Sequence, residues 1–417
     1  MREVGYFELL RRNRSFRNIW IGDVASNLGD WLNTIAIYTL VRELTGSPQA
    51  LGFIFIAKLL PFAVAAPFAG LINDRLNRRR LMIGSDLARA VIVLGLVWID
   101  RAEQVPLAYA LIAAQVLLSA VFVPARSASL PNITERSELL TANTLLAATW
   151  SALLAIGAAA GGFATEWLGA DRVFVLDSLT YLVSAFFIYR TVIPQETEAG
   201  SGASFSSAVR DIVDGWRQMI DRPRIGRIAM AKGVWALGGG GLVYCLALLG
   251  EELMPAATAI GIGLLYTSRG IGTGIGPILA RRLFPEERRW PLICGLCIAT
   301  TGAVYWGVAT LPWTLAIVPL IALAHAPSGT NWTLSSVLLQ RRTPDAFRGR
   351  IFATEFLLLT VIDTASIFAA SWVLEQQLLD LRSLFLVLAV IEIATGLAWV
   401  ALVVPAEHRD KTVDDPG

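Results

Sequence analysis

Apolar runs of membrane-crossing length recur along the whole chain, separated by short charged turns. No other feature constrains the fold as much. The runs fall at roughly 17–41, 48–72, 81–100, 105–124, 140–168 and 172–193, then at 226–249, 257–280, 290–310, 313–338, 349–374 and 382–404. A bilayer core takes about 20 apolar residues per helix, and a single segment can satisfy its own backbone in lipid only as a helix. The pattern therefore predicts an all-α membrane protein of twelve transmembrane helices. Composition agrees, with 55% of the 417 residues hydrophobic and 16% charged, against about 45–50% and about 25% in soluble domains. No cleavable signal peptide is expected, because the charged stretch 1–17 runs straight into a full-length span.

The basic residues give an orientation. With the N-terminus inside, 28 of the 35 fall in inner segments, four in outer loops (Arg42, Arg101, Arg172, Arg382) and three within spans. That asymmetry places both termini in the cytoplasm. The segment 194–225 is read as a cytoplasmic linker between a six-helix bundle at 1–193 and a second at 226–417 with a short tail. Within the linker, Phe205, Val209, Ile212, Val213, Trp216, Met219 and Ile220 recur at helical spacing among charged residues, which predicts an amphipathic helix on the membrane face. Faint repetition relates the halves. Gly52 and Lys58 match Gly263 and Arg269 at one offset, Asn77-Arg78 match Arg288-Arg289 at the same offset, and Pro131 matches Pro344. Transporters are often built from such repeats.

The turn between the second and third runs reads Gly70-Leu71-Ile72-Asn73-Asp74-Arg75-Leu76-Asn77-Arg78-Arg79-Arg80. It resembles the loop between helices 2 and 3 of the major facilitator superfamily, G-x-L-a-D-r-x-G-r-[rk]. Gly70, Asp74, Arg75, Arg78 and Arg79 match, Ile72 replaces the Leu, and Asn77 replaces the second Gly. Asn tolerates a left-handed backbone better than most side chains. The resemblance extends over nearly the whole chain. Residues 122–126, Leu130-Pro131, Ala142-Asn143 and Thr343-Pro344 through Arg348-Gly349-Arg350, with Leu28-Gly29-Asp30 and Asp86 with Arg89, look like the drug:proton antiporter 3 branch of macrolide, tetracycline and enterobactin exporters. There are two departures. The G-P-x-x-G-G motif of span 5 appears as 157–162 without its Pro, and the Arg that many proton-coupled exporters carry in span 4 is absent, leaving Gln115 and Ser119 as polar residues there.

The resemblance implies the major facilitator fold, two pseudo-symmetric bundles rocking about a central cavity lined by spans 1, 4, 7 and 10. It also implies a conformational latch at Gly70, Asp74, Arg75, Arg78 and Arg79, facing Gly349 and Arg350 and extended by Asp86 and Arg89. The expected activity is export of a small amphipathic drug, metabolite or siderophore across a bacterial plasma membrane by a monomer, with protons as the coupling ion.

Ionisable groups inside spans are costly, about 2.5–3.5 kcal/mol each at the centre of a helix, and so mark functional candidates. In span 1, Asp23, Asn27, Asp30, Thr34 and Tyr38 form one polar helix face. Asp23 and Asp30 are candidate proton carriers, as is His325, whose side chain titrates in the physiological range. Asn27, Lys58, Gln115, Arg269, Asn331 and Trp332 are candidates for lining a substrate cavity. Lys58 and Arg269 are read either as attracting an anionic substrate group or as pairing with carboxylates such as Asp23, Asp30, Glu355 or Asp363.

Other signals resolve to packing. Cys294 and Cys297 have redox spacing but lie inside an apolar run, with Cys245 in another. The glycines at 270–276 lack the strand and acidic residue of a nucleotide-binding loop and read as close helix packing. No cofactor, metal site or nucleic-acid partner is expected. A lysophospholipid transporter of the same fold, a non-transporting membrane sensor and a membrane-embedded enzyme are the rival readings. Only two histidines, no metal-ligand cluster and no nucleophile elbow argue against the enzyme.

Overall fold

The computed structural model describes residues 5–135, 137–194 and 205–414. These residues are almost entirely helical: α1 Tyr6–Arg12, α2 Arg14–Thr45, α3 Pro48–Arg75, α4 Arg78–Leu94, α5 Val105–Ile133, α6 Leu139–Leu168, α7 Ala170–Tyr189, α8 Phe205–Asp221, α9 Pro223–Ala229, α10 Ala231–Leu253, α11 Thr258–Leu283, α12 Trp290–Thr310, α13 Val318–Arg342, α14 Asp345–Glu375 and α15 Leu381–Asp414. A long helix covers most or all of each of the twelve apolar runs. Among the described residues, nine stretches are both long and apolar enough to cross a membrane. The helices α2, α11 and α13 have the length but fall short in apolarity. Asp23, Asn27, Asp30 and Asn33 account for this in α2, and His325, Asn331 and the terminal arginines in α13. Residues 195–204 of the expected linker lie outside the described residues.

Helix ends follow local chemistry. The Asn13 side chain accepts a hydrogen bond from the Phe16 amide at 2.9 Å and starts α2. Gly46, at φ +61°, closes the same helix. Asn77 does not use the left-handed freedom expected of it. Its backbone is extended (φ −66°, ψ 113°), and its side chain caps α4 by accepting from the Arg80 amide at 3.0 Å. An N-cap needs a side-chain oxygen rather than a positive φ, so Asn replaces Gly here for a different reason.

The chain divides into two units. The first comprises Met1–Gly46, Ala57–Ala208 and Ala257–Gly263, and the second Ser47–Ile56, Val209–Ala256 and Leu264–Gly417. In the first, α2 packs on α6 and α7, and α4 packs on α5 and α7. In the second, α10 packs on α14 and α15, and α12 packs on α13 and α15. These are the same four pairings in the same chain order, so the repetition faint in sequence is plain in packing. Small residues set the spacing: Gly157 and Gly161 of α6 meet Trp31 and Leu32 of α2 without a proline. Gly272 and Gly276 of α11 lie against the backbone carbonyls of Ala322 and Ala326 in α13, and Gly329 lies against Thr273. Cys294 and Cys297 pack in an apolar cluster with Ile228, Leu338 and Trp399.

Two basic residues sit elsewhere than expected. Arg126 and Lys232, counted with the inner charged segments, lie within helices: α5 runs beyond its apolar run to include Arg126, and Lys232 falls in the first turn of α10. Both are buried or nearly so and each forms an ion pair.

Candidate functional site

The polar face of α2 divides into two places. Toward its start, Asp23 forms an ion pair with Arg126 of α5, and the Asn27 amide donates to the Asp23 carbonyl at 2.8 Å within the same helix. An arginine of α5 beyond the apolar run thus neutralises one proton-carrier candidate.

Farther along α2 lies a denser network. The Tyr181 hydroxyl of α7 donates to Asp30 Oδ1. The Gln115 amide of α5 donates to the Tyr181 oxygen at 2.6 Å and to Asp30 at 3.4 Å. Lys58 of α3 donates to Thr34 Oγ1 at 2.9 Å, and that hydroxyl donates to the Asp30 carbonyl at 2.6 Å. Asn33 donates to Asp177 Oδ2 of α7 at 2.7 Å. Lys58 lies within electrostatic reach of both Asp30 and Asp177. Asp177 is fully buried, whereas Asp30 is only partly so.

Asp86 and Arg89, expected to extend the loop latch, also border this network. They form a buried ion pair. The Arg89 guanidinium also donates to Ser119 at 3.1 Å and lies over the rings of Tyr181 and Phe122 at 4.5 and 4.7 Å. Sandwiching between aromatic faces suits a weakly hydrated guanidinium.

The side chains of Asp74 and Arg75 and the surroundings of Gly70 are not among those described. Arg78 donates to the Ala128 carbonyl at 2.9 Å and to Asn132 Oδ1 at 3.2 Å, and Arg79 donates to the carbonyls of Ile188 and Tyr189. The loop arginines therefore bind the C-terminal turns of α5 and α7, where carbonyls carry partial negative charge. In the second unit Arg350 forms an ion pair with Asp214 of α8 at 3.6 Å.

The second unit buries its own polar groups. Lys232 of α10 pairs with Glu355 of α14 at 2.9 Å and lies 4.5 Å from the ring of Trp332 in α13. His325 is buried and shares a 2.8 Å hydrogen bond with Tyr305 of α12. Arg269 lies over the Tyr266 ring at 5.9 Å and within electrostatic reach of Asp363. Asn331 is buried in α13. Tyr244 and Tyr266 are buried and donate to backbone carbonyls.

Within the first unit the structure thus brings Asp30, Lys58 and Gln115 together and places Asp23 and Asn27 in a separate contact nearer the start of α2. Asp177, Tyr181 and Asn33 were not singled out from sequence. The signal for Asp177 was present, since an aspartate in the middle of an apolar run needs a reason to be there.

Apolar helices that bury such charged networks in two similarly packed units define a multi-pass membrane transporter. The chain belongs to the Major Facilitator Superfamily, whose family model matches residues 19–358. Among curated relatives, "Putative bacilysin exporter BacE" of Bacillus subtilis (strain 168) is 31% identical over 307 residues, 72% of this chain and 74% of that one. "Uncharacterized MFS-type transporter Rv0037c" of Mycobacterium tuberculosis (strain ATCC 25618 / H37Rv) is 27% identical over 85% of this chain and 83% of its own length. The match to "Uncharacterized MFS-type transporter YfiS" of Bacillus subtilis (strain 168), at 26% identity, spans about half of either chain. Among solved structures, the POT family transporter PepTSo superposes with a TM-score of 0.73 at 13% identity, covering 97% of this chain and 99% of that one. A bacterial homologue of the human lysosomal transporter Spinster gives 0.67 at 14%, covering 95% and 96%. At such identities these structures speak for the fold alone.

Proposed function

We propose that the protein is a twelve-span exporter of the drug:proton antiporter 3 branch, acting as a monomer in a bacterial plasma membrane with both termini cytoplasmic. It moves a small amphipathic molecule outward by alternating access and admits protons in exchange. The observation that carries this reading is Asp30, a partly exposed carboxylate in a membrane-length helix, held by Tyr181 and Gln115 and facing Lys58. A group that is both reachable and balanced by fixed charge can take up and release a proton as access alternates. Similarity to a relative named as a bacilysin exporter supports outward transport. One charge crossing 100 mV supplies about 2.3 kcal/mol, enough for about a 50-fold concentration ratio before any pH gradient is added. The loop 70–80 acts as the conformational latch, with Arg78 and Arg79 anchoring it to α5 and α7. Asn331 and Trp332 line the cargo path, together with Arg269.

The test is a panel of tetracycline, erythromycin, ethidium and tetraphenylphosphonium in proteoliposomes with and without an imposed pH gradient. At least one compound should move uphill only with the gradient. Carried compounds that the gradient never drives uphill would remove the antiport assignment.

A further inference from the structure

The charged network of the first unit holds more acid than base. Asp30 of α2 and Asp177 of α7 face one ammonium group, Lys58 of α3. Among the described residues, the other cation within reach, Arg89 of α4, is already paired with Asp86. On α5 the facing groups are Gln115 and Ser119, both uncharged. The remaining neighbour, α6, carries one charged residue, Glu166, which faces Glu43 at the end of α2 instead. Asp23 is balanced separately by Arg126. With every group ionised, Asp30, Asp177 and Lys58 together keep one net negative charge inside helices that belong in lipid. Such surroundings penalise an unbalanced charge heavily, and one proton removes it.

The two carboxylates are also built to share that proton. A Cβ at Gly29 would collide with Asp177 Oδ1 and Thr180 Oγ1, so only the absence of a side chain lets the α7 carboxylate approach α2 beside Asp30. Asn33, one turn on, then holds Asp177 at 2.7 Å. Tyr181, four residues after Asp177 on α7, reaches back to Asp30. Each carboxylate is thus bound by the other's helix, and linked acids lose their protons as a pair.

We propose that Asp177 is the second half of the coupling site, and that Asp30 and Asp177 hold one exchangeable proton between them with Lys58 as the fixed counter-charge. The proposal rests on the proton-coupled reading given above and sets its stoichiometry at one proton per cycle. Release takes the carboxyl proton to water at Asp30, the partly exposed member, and leaves a carboxylate. Asp177 is sealed behind it and sets how strongly the pair holds the proton.

The experiment is an infrared titration of the full-length protein in lipid nanodiscs, with aspartate carboxyls isotopically labelled to separate them from glutamates. The wild type should show one protonated aspartic acid that disappears as pH rises. D177N and D30N should each lose it, since the remaining carboxylate is balanced by Lys58. K58Q should raise the protonated population about twofold, because two negative charges then need neutralising. A band that persists unchanged in D177N, or one that K58Q leaves unaltered, would overturn the proposal. A purely structural Asp177 would not respond to K58Q, so that variant decides the matter even if D177N fails to fold. The two readings fail differently. A titrating pair in a protein whose cargo ignores a pH gradient would sink proton coupling alone, and gradient-driven transport that persists in D177N with its aspartic acid band would sink the shared proton alone.

Discussion

The Lys232–Glu355 pair allows a stability effect to be worked through in the second unit. The two side chains are 6% and 3% exposed and 2.9 Å apart. With an effective dielectric of about 20, their attraction is about 6 kcal/mol, most of which offsets the desolvation of both ions. Removing one partner therefore exposes the desolvation penalty of the other, about 3–5 kcal/mol. The two single variants should not be equal. In E355Q the ammonium keeps the Trp332 face at 4.5 Å, an interaction of about 2 kcal/mol when desolvated. In K232M the carboxylate has no such substitute. For a unit of about 200 residues each kcal/mol moves the melting temperature by about 2–4 °C. K232M should then lower it by about 6–20 °C and E355Q by distinctly less, with the apolar double variant K232M/E355M close to wild type. Thermal unfolding of purified protein in detergent, followed by tryptophan fluorescence, reads all three. If the double variant is as unstable as the sum of the singles, the pair is not behaving as a mutually compensating buried unit. If E355Q is worse than K232M, the role given to Trp332 is wrong.

Other consequences follow from single contacts. G276A should destabilise the α11–α13 packing by at least 1–3 kcal/mol (an order-of-magnitude figure for overpacking), because the new methyl meets the Ala326 backbone carbonyl rather than a movable side chain; G274A, with open space around it, is the control, and equal melting temperatures would refute the close approach. N77A should lower stability by about 1 kcal/mol and N77G by only a few tenths, as measured by the same unfolding assay; equal losses would show that the α4 cap is not what Asn77 supplies. Y305F leaves buried His325 without its hydroxyl partner and should reduce stability by about 1–3 kcal/mol, with gradient-driven transport retained; abolished coupling would move His325 back among the proton carriers. D23N should leave the proton count per transported molecule unchanged, since Asp23 is already balanced by Arg126; a changed count would place Asp23 in the coupling site.

The fold was legible because lipid imposes length and apolarity on every span, and those are properties of local sequence. The twelve runs, the small residues of 157–162 and the glycines at 272 and 276 could each be read without knowing their neighbours. The helices that fall short of membrane apolarity, α2, α11 and α13, are those with polar faces, and polarity was also the cue for Asp30, Lys58 and Gln115. What sequence could not supply was pairing. That Asp23 meets Arg126 and Asp30 meets Tyr181 depends on which helices are neighbours, and the contacts span 103 and 151 residues of chain. Asp86 and Arg89 lie near the charged loop in sequence, but about two further turns of α4 carry the pair into the protein interior. Asp177 is hard to read from sequence for the opposite reason: its apolar flanks make the run look uniform.

Proton coupling requires that protons and cargo move together in opposite directions. For each panel compound carried by the wild type, an outward gradient of that compound across proteoliposomes can be imposed with no initial pH difference, while an internal pH dye and the compound are followed at once. One proton should enter for each molecule that leaves, and the proton flux should vanish in D30N. A wild-type protein that carries the compound while the internal pH stays flat would contradict the account.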